Sequence, residues 1–232
     1  MILYIVTATL DNYKKNFGYC KTRNTLETIA GDVCVVLHCS QANLRTVEQI
    51  NPWAICHSGS DKSASSKGAY GNMVVKTDVP QIGFCAGHQI IATLFHGKIA
   101  PIRKLASYEP DPKPAYSPGL FKETGLCTVR VLKADPLFKG LGRKLRVIEN
   151  HSWEVKRLPP DLVLLASSSA CRVQAFRHRT RPIYGTQFHP EVDDTVAHDG
   201  KAILANFFRI ARMHHERSGR QAARKHPSRD TR

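Results

Sequence analysis

Five consecutive apolar residues, Ile2–Val6, sit near the start of the chain, and largely apolar blocks return at 33–37 and 53–57 with polar stretches between them. Continuous apolar runs, as opposed to alternating ones, predict strands buried on both faces. Residues 25–30 and 43–50 read as short helices between these strands, the second with Asn43 as its N-cap, and 11–24 reads as polar loop. A fourth strand over 82–84 leads into a helix over 87–96, in which Ile90, Ile91, Leu94 and Phe95 recur at helical spacing. Strands alternating with helices at these intervals predict an α/β fold, with a mostly parallel central sheet flanked by helices and joined by right-handed crossovers. Further β-runs follow at 127–132, 145–149, 162–167, 172–176 and 183–188, while 108–119, with four prolines, reads as an irregular surface excursion. Asp199 is placed to cap a last helix whose Ile203, Phe207, Ile210 and Leu204, Phe208, Ala211 line one side, ending the fold near Met213. The chain contains no internal repeat.

Candidate chemistry concentrates where the fourth strand meets its helix. Gly83-Phe84-Cys85-Ala86-Gly87 is a G-x-C-x-G sequence, the pattern of a nucleophile elbow. Such a turn holds its middle residue in a strained conformation above the sheet, and the small flanking residues let neighbouring backbone pass close. It also sets a sulfur at a helix N-terminus, where unpaired N–H groups favour a thiolate. By itself this stretch reads equally as a small buried cysteine at a strand end. A second stretch decides between the two. In Gly185-Thr186-Gln187-Phe188-His189-Pro190-Glu191, extended backbone points His189 and Glu191 the same way, and a carboxylate beside an imidazole fixes its tautomer and stabilises its charged form. Alone, that stretch is an exposed turn with a surface ion pair. Both in one chain point to a thiol nucleophile, Cys85, with His189 as base and Glu191 as its orienting acid. The chain order Cys, His, Glu disfavours the α/β-hydrolase arrangement, in which the acid precedes the histidine.

These two motifs resemble those of the class I glutamine amidotransferases, whose glutaminase domain carries a Cys-His-Glu triad on a flavodoxin-like fold. The resemblance runs from about residue 1 to 213. Within the family, 131–141, 151–159 and 200–208 are most similar to the glutaminase part of GMP synthase. The resemblance implies a glutaminase domain over 1–213 that hydrolyses the side-chain amide of L-glutamine through a cysteinyl γ-glutamyl thioester. Ammonia would then pass to a separate ATP-dependent synthetase subunit. It further implies an oxyanion hole from the Gly59 and Ala86 amides. The family's Ser-Gly-Gly-Pro loop reads here with Ser58 in place of its first glycine and Ser60 in place of its proline. Substrate contacts are expected from Gln89, Ser152 and Trp153. A stand-alone γ-glutamyl amide or peptide hydrolase, or a non-catalytic regulatory protein on the same fold, are the alternatives.

Composition narrows the setting. A chain of 232 residues accommodates one α/β domain and a tail. The seven cysteines are scattered, with no C-x-x-C pair, as suits a reducing, cytoplasmic setting where a catalytic thiol stays free. Cys34, His38, Cys39, Cys56 and His57 lie in apolar runs and read as buried strand residues, so no metal is expected there, nor any cofactor. No apolar run reaches the roughly 20 residues of a membrane span, and no phosphate-binding G-x-x-x-x-G-K-[ST] loop is present, 62–71 included. ATP chemistry must therefore reside on another chain. Net charge is +15, of which residues 209–232 carry eight Lys/Arg against Glu216 and Asp230. The tail over 214–232 is expected to be basic and disordered. It lacks interleaved aromatics, so nucleic acid is not an expected partner.

Overall fold

The computed structural model describes residues 1–16, 18–60, 68–192 and 198–225, with backbone alone for 198 and 221–225. In order these form β1 (Ile2–Val6), α1 (Leu10–Lys15), α2 (Gly18–Ala30), β2 (Cys34–His38), α3 (Leu44–Ile50), β3 (Ile55–His57), α4 (Ala69–Lys76), β4 (Gln81–Phe84), α5 (Ala86–Leu94) and β5 (Lys98–Pro101). They continue with β6 (Glu123–Val131), β7 (Lys144–His151), β8 (Trp153–Arg157), β9 (Leu162–Ser167), β10 (Ala175–His178), β11 (Ile183–Thr186) and α6 (His198–Lys225). A nine-stranded sheet runs β2-β1-β3-β4-β11-β10-β9-β6-β7, and β5 pairs with β8 in a separate ribbon. From β2 to β11 neighbours are parallel; from β11 to β7 they are antiparallel.

The period-two geometry of β1 separates the core into two layers. Ile2, Tyr4 and Val6 face a cluster with Leu26 and Ala30 of α2 and Ile203, Leu204, Phe207 and Ala211 of α6. Leu3 and Ile5 face the other side, among Val47 of α3, Met73 and Val74 of α4, and Ile90 and Ile91 of α5. Both faces are covered by helices, which is why the parallel strands read as unbroken apolar runs.

Several boundaries differ from the pattern reading. Residues 11–24, expected as loop, carry α1 and most of α2. These helices are polar nearly all round, α2 burying only Leu26 and Ala30 and α1 nothing fully, so no apolar stripe marks them. Asn43 is the N-cap of α3 as expected, accepting from Thr46 N at 2.9 Å. Asp199 is not a cap. It lies within the first turn of α6, and its Oδ2 accepts from Arg146 N at 2.7 Å on β7. Nor does α6 stop at Met213; it continues to Lys225, with 226–232 outside the described residues. Most of the 62–71 stretch lies outside them too. The proline-rich excursion has neither helix nor strand, and a Lys104–Leu120 bridge ties its two ends.

Three neighbouring parallel strands position the site. Gly83 on β4 is opposite His57 on β3 and Gly185 on β11. The segments leaving these strands at their carboxyl ends, Ser58-Gly59, Cys85 and Gln187-Phe188-His189, therefore emerge side by side, where open α/β sheets bind ligands.

Candidate active site

Cys85 adopts φ 45°, ψ −101° as the residue preceding α5. Positive φ in a residue with a side chain costs about 1–3 kcal/mol and persists only where surroundings enforce it. Here its N–H donates to Thr186 O at 2.8 Å, and Gly87 N donates to Ser58 O at 3.1 Å. Strands β3 and β11 thus clamp the turn from both sides. The flanking glycines are needed for close approach: a Cβ on Gly83 would lie 2.4 Å from Gly87 C, and one on Gly87 would lie 2.5 Å from His57 O.

His189 reaches the elbow from β11, its backbone N–H held by Ile148 O at 2.9 Å. Its Nδ1 bonds Glu191 Oε1 at 2.8 Å, and both the ring and the Cys85 side chain lie against Gly59. Burial opposes charge on this imidazole, but the Glu191 carboxylate and the Cys85 sulfur outweigh it and hold the pKa well above the ordinary value. The three residues expected to act together are brought together.

Gly59 belongs to the same constellation. A Cβ there would lie 2.7 Å from His189 Cε1 and 3.4 Å from Cys85 Cβ, so any larger residue would push the His189 ring from its place. Ala86 is the first residue of α5, whose initial N–H groups have no partner within the helix. The serine preceding Gly59 does not crowd the loop. Ser58 Oγ turns away into the interior and accepts from Thr7 N at 2.9 Å, while Thr7 Oγ1 donates to Ser58 O at 3.0 Å.

A cavity of about 270 Å³ opens beside the sulfur, lined by Ser60, Cys85, Gln89, Ile99, Tyr116, Ser117, His151 and Trp153. Two of the three expected substrate contacts line it. Gln89 Nε2 donates to Trp153 O at 2.8 Å and to Gln187 Oε1 at 3.0 Å, and Trp153 is 41% exposed. Ser152 is fully buried, its carbonyl taken by Ile102 N at 2.9 Å, and His151 forms the wall in its stead. A second cavity, about 380 Å³, is lined by His189, Gly59 and Ser60 together with Asn12, Lys15, Asn16 and Tyr19. The larger cavity of about 720 Å³ between 131–143 and α6 contains none of these residues.

Sequence reasoning missed the group beneath the wall. His151 Nδ1 bonds Trp153 O at 2.9 Å, and its Nε2 lies 3.2 Å from Glu123 Oε2 and 3.1 Å from Glu149 Oε2. Burial works against charge on His151, yet the Glu123 and Glu149 carboxylates beside its Nε2 carry its pKa up to about 10. Burial raises the pKa of Glu149, with His151 partly offsetting it. Alternation along β7 could have paired Glu149 with His151, but nothing in the pattern brings in Glu123 from β6.

Residues 27–211 match the protein-family profile described as glutamine amidotransferase class-I. The chain is 38% identical over 170 residues to the glutamine-hydrolyzing GMP synthase subunit of Pyrococcus abyssi, an alignment covering 72% of this chain and 80% of that protein. It is 36% identical over 166 residues to the protein of the same name from Methanosphaera stadtmanae, covering 71% and 77%. Among solved structures, a Thermoplasma acidophilum chain described as a GMP synthase subunit superposes with a TM-score of 0.73 at 27% identity, covering 94% of this chain and 98% of that one. The glutaminase domain of Trypanosoma brucei CTPS, at 15% identity and a TM-score of 0.63, shares the fold, with 92% of this chain and 94% of that one covered.

Proposed function

Since the chain belongs to the class I glutamine amidotransferases, we propose that it hydrolyses the side-chain amide of glutamine and delivers ammonia to a separate synthetase subunit of GMP synthase type. The observation that carries this reading is the convergence of the Glu191-held His189 and the elbow residue Cys85 on one glycine, Gly59.

Cys85 passes its proton to His189, and the thiolate attacks the amide carbon of glutamine bound in the cavity beside it. The carbonyl oxygen becomes an oxyanion, met by the Gly59 and Ala86 N–H groups; a single such donor is typically worth about 10²–10³ in rate. The imidazolium, steadied by Glu191, gives its proton to the departing nitrogen, and ammonia leaves. Water activated by His189 then opens the thioester, releasing glutamate and restoring the thiol. Gln89 supports substrate placement by bracing the Trp153 carbonyl at the cavity wall. In this reading the acceptor of the ammonia is activated on the synthetase subunit, in keeping with a sequence that contains no G-x-x-x-x-G-K-[ST] loop.

The test is ammonia release from glutamine by the purified chain, with and without an XMP-aminating synthetase, in parallel with Cys85→Ser. Stoichiometric labelling of the wild type by a glutamine-analogue electrophile, lost in the variant, is expected. Undiminished ammonia release by Cys85→Ser would remove Cys85 from the mechanism.

A further inference from the structure

We propose that Glu123, Glu149 and His151 form a binding site for one divalent metal ion of the zinc or manganese class, set directly behind the wall of the glutamine cavity. Among the described residues, this is the group of metal-ligating side chains whose donor atoms converge, all lying within 4.8 Å of one another and all buried.

The spacing suits a metal. Bonds of about 2.0–2.1 Å in tetrahedral or octahedral geometry set neighbouring ligand atoms about 2.9–3.4 Å apart. His151 Nε2 stands 3.2 Å from Glu123 Oε2 and 3.1 Å from Glu149 Oε2.

The outer contacts also suit a metal. A ligating histidine commonly donates its other N–H to a carbonyl, which frees the ligating nitrogen's lone pair. His151 Nδ1 does so to Trp153 O at 2.9 Å. Glu123 is braced in turn, with Ser168 Oγ donating to Oε1 at 2.9 Å and Gln174 Nε2 donating to Oε2 at 2.9 Å.

A proton alone satisfies the cluster poorly. The single Nε2–H aligns with Glu123, and both oxygens of Glu149, which is 1% exposed, are left without a hydrogen bond. The amide oxygen of Gln174, which is fully buried and whose nitrogen bonds Glu123, has no partner either. Orphaned buried polar atoms are costly and rare. Two carboxylates around one imidazolium would also leave a net negative charge in the interior. A divalent ion on two carboxylates and a neutral imidazole is neutral overall and uses the Glu149 oxygens. His151 is itself part of the cavity wall, so the cluster lies one side chain away from the cavity.

Manganese(II) is the probe of choice, because it favours carboxylate and imidazole over the seven free thiols. The full chain would be stripped with chelator, titrated with Mn2+ and followed by the free-ion EPR signal, in parallel with Glu149→Gln and Glu123→Gln. Circular dichroism and Tm would establish that the variants fold. About one Mn2+ per wild-type chain is expected, released by EDTA with a fall in Tm, with affinity at least ~100-fold weaker in both variants. A wild type that takes up no ion would overturn the site and leave the cluster neutralised by a proton on Glu149. Equal uptake by wild type and folded variants would overturn it as well, by locating the ion elsewhere.

Discussion

Alanine at position 59 inserts one methyl carbon against both halves of the proposed reacting pair. The added carbon would stand 2.7 Å from His189 Cε1 and 3.4 Å from Cys85 Cβ, so the ring must retreat by roughly 0.7 Å to reach ordinary contact. That retreat is resisted, because Glu191 holds Nδ1 at 2.8 Å and Ile148 O holds the backbone N–H at 2.9 Å. A displacement approaching 1 Å between reacting groups costs about 10² in rate, equivalent to roughly 2.7 kcal/mol of barrier. Stability should barely change. Gly59 has no positive φ that alanine would strain, and its contacts are with side chains, not with packed backbone. The expected result is a kcat for glutamine hydrolysis lower by about two orders of magnitude, equally slowed labelling of Cys85, and a Tm within about 3 °C of wild type. Kinetics within threefold of wild type would refute the steric argument. So would lost activity accompanied by a collapse in Tm, since the damage would then be global.

Glu191→Gln keeps the shape of the acid but removes the charge that holds the His189 pKa up; kcat should fall by about 10²–10⁴ with little change in KM, and a variant retaining a tenth of the activity would refute the role. Ser58→Ala strips the acceptor from the buried Thr7 N–H and should destabilise by about 1–3 kcal/mol in urea melts; an unchanged Cm would contradict it. Burial depresses the pKa values of His57 and His88, to about 4 and about 3. Unfolded histidines titrate near about 6.5, so below that pH the unfolded chain binds protons that the folded chain refuses. Stability should therefore fall as pH drops from 6.5 to 5, by up to about 1.4 kcal/mol per pH unit for each histidine. His189, with its raised pKa, acts oppositely: its contribution is complete below about 6.5 and is lost only as pH rises through its folded value. A flat Cm between pH 6.5 and 5 would argue against the two neutral imidazoles.

The elements most legible in the chain were those with the simplest burial. Strands β1 to β4 are covered on both faces and announce themselves as apolar blocks, and α5 carries its stripe of Ile90 and Ile91. The elbow and the His189–Glu191 pair are local motifs, so their partners lie within a few residues and can be read directly. Helix α1 and the 18–24 part of α2 were illegible because they rest on the body with few apolar residues, whereas the 25–30 part of α2 reads as a helix. Strands β5 and β8 form a short ribbon, with β5 exposed over Lys98 and Ile99, so the pattern there is no different from that of a loop. The wall residues Ile99, Tyr116, Ser117 and His151 come from separated segments that only tertiary folding gathers. Likewise, Glu123 meets His151 through cross-strand register on β6 and β7, which no spacing along the chain encodes.

The nucleophile's own backbone is hydrogen-bonded to the strand that ends at the histidine, through Cys85 N and Thr186 O. Their separation is thus set chiefly by one rung of a parallel ladder, with Ile148 O steadying the His189 N–H from β7. Those intervening stretches that neither line the cavity nor hold His189 are free to diverge or lengthen while hydrolytic geometry is inherited unchanged. A foreign hairpin tip grafted between β6 and β7, around 139–143, should leave thioester chemistry intact, whereas a one-residue slip of β11 against β4 would end it.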